Sequence, residues 1–245
     1  LAEEQRDGTL ELLLTQPIRG WIVLFSKFVA GLLFVTVMIA ATAGIPIALA
    51  TAGDLDEGAV AAQYVGRVFL AASFVSIGLF TSSLTRNQIV AFMLGLFAIA
   101  VLMLVGMEQV ASTLPDRLSG LLQTLSPVAH FSSIARGVID LRDVLYFVAL
   151  VSTFMSATFL SIRAKTLSHQ SPQYRNLQLG VAGLIVFSLL IGWFGTSIGG
   201  RLDLTEDKLF TMSPATKDIL SDLDDILTVE LFESKDPPQN ERLVA

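Results

Sequence analysis

Few side chains in this sequence could do chemistry. Cysteine is absent, and the only two histidines are His130 and His169. Thiolate metal sites, disulfides and cysteine nucleophiles are therefore excluded. No H-E-x-x-H or CxxC spacing occurs, so neither a metal nor another cofactor is expected on this chain. His130 has Ser126, Ser132 and Ser133 near it in sequence. A hydrolytic triad also needs a third group to orient the base, and no signature supports one. His130, beside Phe131, is read as a packing residue. No G-x-x-x-x-G-K-[ST] loop is present to cradle phosphates, so the chain is not expected to hydrolyse ATP itself.

The elements that carry these residues are greasy. Of 245 residues 53% are hydrophobic and 16% charged, and the mean hydropathy is +0.66. Soluble domains run nearer about 45–50% and about 25%. A net charge of −6 argues against a nucleic-acid footprint, which is usually basic. Five long runs carry no charge: Phe28–Gly53, Val68–Thr85, Asn87–Met107, Val144–Ile162 and Asn176–Gly200. They are 26, 18, 21, 19 and 25 residues long. A membrane helix needs about 20 apolar residues, within a range of about 17–25. Each run fits one crossing. The predicted fold is an all-α polytopic membrane bundle, with five spans here, followed by the start of an extracytoplasmic α/β domain. A sixth charge-free run, Leu118–Ala135, contains Pro127, Gln123 and His130 and reads as an amphipathic helix at the surface or against the bundle.

Five crossings put the two ends on opposite sides. One side holds Arg6, Arg19, Lys27, Arg86, Arg163, Lys165 and Arg175. Short loops on the other hold Arg67, Arg117, Arg136 and Arg142. The positive-inside rule then places the N-terminal segment in the cytoplasm. In the stretch EEQRDGTLELLLTQPIRG, Asp7 can cap a short helix, and Leu10, Leu13 and Leu14 make one greasy face. Pro17 stops it, because the residue before a proline is pushed out of the helical region. Two readings stand: an interfacial helix on lipid, or a docking element for a cytoplasmic partner.

That stretch resembles the loop before the third helix in permeases of the type 2 ABC-transporter family. The pattern is E-x-x-x-G-T-L-E-x-L-L-x-x-P-I, followed by an S-K pair opening the next span. It is carried here by Glu4, Gly8, Thr9, Leu10, Glu11, Leu13, Leu14, Pro17, Ile18, Ser26 and Lys27. Ser82–Phe92 (SSLTRNQIVAF) resembles the family's tight cytoplasmic turn, and Leu125–Phe147 its outer loop entering the last permease span. Among such permeases, the sequence resembles those of the gliding-motility (GldF) type. Arg201–Asp225 resembles the opening of the partner auxiliary component, the GldG type, with D-L-T at Asp203, Leu204 and Thr205, and Met212 where Leu is usual.

The resemblance implies a permease fused to its auxiliary component. Residues 1–21 would be a cytoplasmic coupling segment. Residues 22–162 would be the permease bundle, with two further spans before it. Residues 163–175 would be a cytoplasmic linker, 176–200 a membrane anchor, and 201–245 the start of the outer domain. It also implies a multi-pass protein of the bacterial inner membrane, bathed in lipid, with its C-terminal part outside the cytoplasm. Its partners would be a separate ABC ATPase carrying ATP and Mg, a second permease copy and a possible outer partner. Glu4, Gly8, Thr9, Glu11, Leu13, Leu14 and Pro17 would form the ATPase-coupling site. The substrate path stays open. The alternative function is a non-transporting scaffold that passes force or a signal to an outer partner.

Ser213-Pro214 reads as N-cap and first residue of a helix running to about Leu223. Leu209–Met212 reads as a short strand, and Leu227–Phe232 alternates as a half-buried strand does.

Overall fold

The computed structural model describes residues 1–9, 12–13, 19–53, 55–105, 107, 110, 115, 120, 123–164, 175–176, 178–183, 185–187, 200–206, 208–213, 215–216, 218 and 222. Two compact units divide the chain, Leu1–Phe210 and Thr211–Ala245.

The first unit is mostly helical. Its elements are α1 (Ala2–Arg6), α2 (Gly20–Ala41), α3 (Gly44–Ala50), α4 (Glu57–Leu84), α5 (Gln88–Val105), α6 (Pro127–Ala135), β1 (Val138–Asp140), α7 (Leu141–Ala164) and β2 (Arg201–Asp203). Four stretches are long and apolar enough to cross a membrane: Gly20–Ala50, which joins α2 to α3, then α4, α5 and α7. They account for four of the five predicted spans. Of the fifth, an apolar helix covers Gln178–Phe187, and most of the remainder lies outside the described residues.

Local chemistry sets the boundaries. Pro46 has no N–H to give to the Thr42 carbonyl. That carbonyl instead accepts the Ile45 N–H at 3.1 Å, and the helix is interrupted at Thr42–Ala43. Asp56 starts α4 by accepting the Ala59 N–H at 2.8 Å, as an N-cap does. The Asn87 side chain accepts the Ile89 and Val90 N–H groups and starts α5. This makes 85–87 the tight turn expected there.

The central element is α4, which packs against α2, α5, α6 and α7. Its buried positions are mostly small: Ala62, Gly66, Ala71, Ala72, Ser73 and Ser76. Within a bilayer, helices associate by close packing rather than by hydrophobic burial, and small residues permit that approach. Around Ala62 gather Ile134, Tyr146 and Phe147, with Phe69 stacked on Phe147 at 5.8 Å. Large apolar residues such as Phe34, Val37, Phe92 and Phe97 are exposed, as lipid-facing positions are.

Three boundaries differ from the sequence reading. The first spanning helix starts at Gly20, so Lys27 lies inside it; the charge is tolerated there because Glu4 pairs with it. Arg67, counted with the short loops although its stem could lengthen the span, lies well within α4 because the Asp56 cap sets the helix start far upstream. Leu209 and Phe210 form a turn instead of a strand, because the Thr205 hydroxyl and the Asp203 carboxylate accept their N–H groups at 3.0 and 2.9 Å.

In the second unit, the Ser213 hydroxyl accepts the Thr216 N–H at 3.1 Å, the capping bond expected of a helix start. The Asp222 N–H reaches the Asp218 carbonyl at 3.1 Å. The predicted strand Leu227–Phe232 lies outside the described residues.

Candidate functional site

The N-terminal segment folds against the ends of three spans. Glu4, on α1, pairs with Lys27, on α2, and both are half-buried. The Ala2 N–H donates to the Ser82 hydroxyl at 2.8 Å. The Ser83 carbonyl, at the end of α4, accepts from the Gln5 amide at 3.2 Å and from the Ser161 hydroxyl of α7 at 3.3 Å. Gly8 ends α1 at φ +72°, a left-handed conformation that glycine adopts without steric cost. The Thr9 hydroxyl then reaches back to the Glu4 carbonyl at 3.4 Å. In the S-K pair, the Ser26 hydroxyl donates to the Ile22 carbonyl at 2.8 Å while Lys27 meets Glu4.

Glu4, Gly8 and Thr9 thus come together, and their bonds are internal. Leu13 is half-buried. Glu11, Leu14 and Pro17 lie outside the described residues. Lys27 as the partner of Glu4 was missed in the sequence, although both residues stood in the same motif. The exposed Arg6–Glu3 and Arg6–Asp7 pairs on α1 contribute little, as solvated ion pairs do.

The opposite end of the unit is closed by a two-stranded antiparallel sheet. Ile139 pairs with Leu202 and Asp140 with Arg201. The Leu141 N–H donates to the Gly200 carbonyl at 2.8 Å and the Leu204 N–H to the Gly137 carbonyl at 3.0 Å. The Arg201 guanidinium donates to both Asp140 oxygens, at 2.8 and 3.4 Å. That hydrogen bond and the carboxylate charge push the Arg201 pKa up. Beyond the strand, Asp203 accepts the Thr205 N–H at 3.1 Å and its hydroxyl at 2.5 Å. Thr205 is buried. A Cβ on Gly58 would stand 1.6 Å from the Leu204 carbonyl oxygen, so only glycine fits at the start of α4. Segment 200–210 is thereby strapped onto this end of the bundle.

Beside the strap sits a buried polar cluster. His130 Nδ1 lies 2.7 Å from Asp143 and Nε2 lies 3.1 Å from the Thr124 carbonyl. The His130 ring stacks on Tyr146 at 3.8 Å, and the Tyr146 hydroxyl donates to the Leu125 carbonyl at 2.6 Å. His130 and Asp143 are 4% and 0% exposed, so the pair joins α6 to α7 away from solvent. The Ser126 hydroxyl caps α6, accepting from Val128 and Ala129 at 3.1 and 3.4 Å. Both His130 nitrogens face other groups than a serine hydroxyl, so no triad is assembled. Asp143 went unnoticed in the sequence, because nothing periodic links it to His130.

Between the ends, the Ser73, Ser76 and Thr81 hydroxyls donate to carbonyls of their own helix. Intrahelical bonding of this kind leaves little for a ligand. Ser152 and Ser156 instead line a cavity of about 330 Å³ between α2 and α7, beside Leu24, Phe28 and Met155.

Residues 1–140 match the family described as ABC-2 family transporter protein. A curated relative, "Probable multidrug ABC transporter permease YbhR" of Escherichia coli strain K12, is 29% identical over 139 residues. The match covers 56% of this chain and 37% of the relative. The protein of the same name from Escherichia coli O157:H7 matches with the same identity and coverage. The chain thus spans little more than a third of the length of the curated relatives it matches. No solved structure matches the chain.

Proposed function

The chain belongs to the ABC-2 transporter family, and on that premise we propose that it is part of a permease subunit in the bacterial inner membrane. In this reading it couples ATP hydrolysis by a separate cytoplasmic ATPase to the movement of a substrate across the bilayer. ATP and Mg bind the ATPase, and this chain supplies mechanical coupling. The observation that carries the reading is the α1 end, which faces the cytoplasm in this account. There one short polar helix is tied to α2 through Lys27, to α4 through Ser82 and Ser83, and, by the shared Ser83 carbonyl, to α7. A push on segment 1–18 would reach three spans at once.

The roles within the segment divide. Glu4, Gly8 and Thr9 position it against the bundle. Glu11, Leu13, Leu14 and Pro17 meet the ATPase. Replacing Leu13 and Leu14 with Asp is expected to abolish copurification of the ATPase in mild detergent. Unchanged copurification with unchanged ATP turnover would overturn this assignment.

The second reading is a scaffold that passes force to an outer partner, with residues 201–245 opening an auxiliary domain of the GldG type. The strap favours keeping it, because the D-L-T turn of Asp203–Thr205 is locked onto the bundle end. Cargo-dependent ATP turnover supports the transporter reading. ATP-dependent binding of an outer partner without flux supports the scaffold. A second permease copy completes the membrane unit in either case.

A further inference from the structure

Arg67 stands ten residues into α4, counted from Glu57, or about 15 Å along the axis at 1.5 Å per residue. Its guanidinium lies 4.8 Å from the centre of the Tyr64 ring. The Tyr64 hydroxyl is held 3.0 Å from the Thr42 hydroxyl. Among the described residues, no carboxylate forms an ion pair with Arg67. An arginine does not lose its charge in a protein. An unpaired charge within a spanning helix is costly and marks a functional position.

Apolar space extends from Arg67 in both directions along α4. Toward the α1 end, a cavity of about 460 Å³ is lined by Val35, Leu70 and Phe74. Toward the sheet end, a cavity of about 760 Å³ is lined by Met38, Ile45 and Val60, with polar atoms from Thr42, Gln63 and Tyr64. Arg67 and Ile39 line both cavities. The cleft between α2–α3 and α4 therefore has an apolar chamber, a cation at its mouth, and beyond it a larger, mostly apolar chamber that carries Thr42, Gln63 and Tyr64.

We propose that this cleft binds one anionic phospholipid of the surrounding bilayer, with its phosphate on Arg67. The acyl tail fills the apolar chamber, and the rest of the headgroup occupies the larger one. Charge complementarity selects the anion, because a zwitterionic headgroup brings a second cation toward Arg67. The proposal does not depend on the transport reading; a structural lipid and a cargo lipid would meet the same groups.

The test is a lipid titration of the delipidated full-length protein followed by native mass spectrometry. Phosphatidylglycerol and phosphatidylcholine with identical chains are the probes. The wild type is expected to retain one phosphatidylglycerol, with a preference over phosphatidylcholine of about tenfold, the scale of the repulsion between Arg67 and the choline cation at an effective dielectric of about 20. Arg67→Gln is expected to lose that preference, and Arg67→Lys to keep much of it. Val35→Phe, which fills the tail chamber and leaves the charge in place, is expected to weaken phosphatidylglycerol binding. Equal retention of the two lipids by the wild type would overturn the proposal. So would full phosphatidylglycerol binding by Arg67→Gln. If Arg67→Gln does not fold, unchanged binding by Val35→Phe is the contradicting result. Displacement of the lipid by millimolar inorganic phosphate would assign the site to a free anion instead.

Discussion

Glu4 and Lys27 lie 23 residues apart and pair across the junction between α1 and the first spanning helix. The pair explains two features that look unrelated in the sequence. A lysine sits inside a membrane helix, and an acidic residue opens the segment before it. Each makes the other's placement tolerable, since a charge near hydrocarbon is costly without a partner. With the Ser83 carbonyl accepting from both Gln5 and Ser161, the pair holds α1 to the bundle at several points.

The strap gives a clean chemical test because the chain contains no native cysteine. Asp140 and Arg201 are directly opposed in the sheet. The bonds at Leu141–Gly200 and Gly137–Leu204 leave this pair at a non-hydrogen-bonded position, where Cα atoms come within about 4.5 Å. The Asp140→Cys/Arg201→Cys variant is therefore expected to form an intramolecular disulfide in high yield under mild oxidation. Adding Gly58→Ala places a methyl group against the Leu204 carbonyl and is expected to lower that yield several-fold. Equal yields with and without Gly58→Ala would contradict the seating of the strap.

The His130–Asp143 pair makes a stability prediction. Removing one partner costs the other a buried hydrogen bond, a loss of about 1–3 kcal/mol, even though Arg142 stays 3.7 Å from Asp143 and the Thr124 carbonyl stays on His130. Asp143→Ala and His130→Ala are each expected to lower the thermal midpoint of the detergent-solubilised protein markedly. A His130→Phe/Asp143→Leu double variant is expected to recover most of that loss, since apolar replacement of a whole buried pair is often neutral. A double variant as unstable as the sum of the two singles would mean that each residue acts separately.

Much of the architecture was legible from where charges are missing. Hydrocarbon penalises charge, so uninterrupted runs such as Asn87–Met107 mark a span, and α5 occupies Gln88–Val105. The turn before it was legible through the family resemblance of Ser82–Phe92, and the structure builds it with the Asn87 cap. Helix starts were harder to read. A charge gap locates apolar residues, whereas a helix starts where its cap or its ion pair permits. Lys27 and Arg67 therefore lie inside α2 and α4 instead of outside them. The sheet was invisible, because three-residue strands carry no periodicity and Asp140 lies 61 residues from Arg201. His130 was correctly read as packed, yet its partner Asp143 could be found only once α6 folded back on α7. Glu4 and Gly8 were singled out by the family resemblance, which carried no sign that their bonds would be directed inward.

A charge swap between Glu4 and Lys27 tests the central claim most directly. The measurement is ATP turnover by the reconstituted complex of the full-length protein and the ATPase proposed for it, with and without the proposed cargo. Glu4→Lys and Lys27→Glu alone each set like charges against one another, and each is expected to reduce cargo-stimulated turnover by about tenfold. Glu4→Lys combined with Lys27→Glu restores opposite charges and is expected to recover stimulation to within about twofold of the wild type, as coupled residues do in a double-mutant cycle. Single variants that turn over like the wild type, or a double variant no better than the singles, would contradict the account of α1 as the lever that moves the bundle.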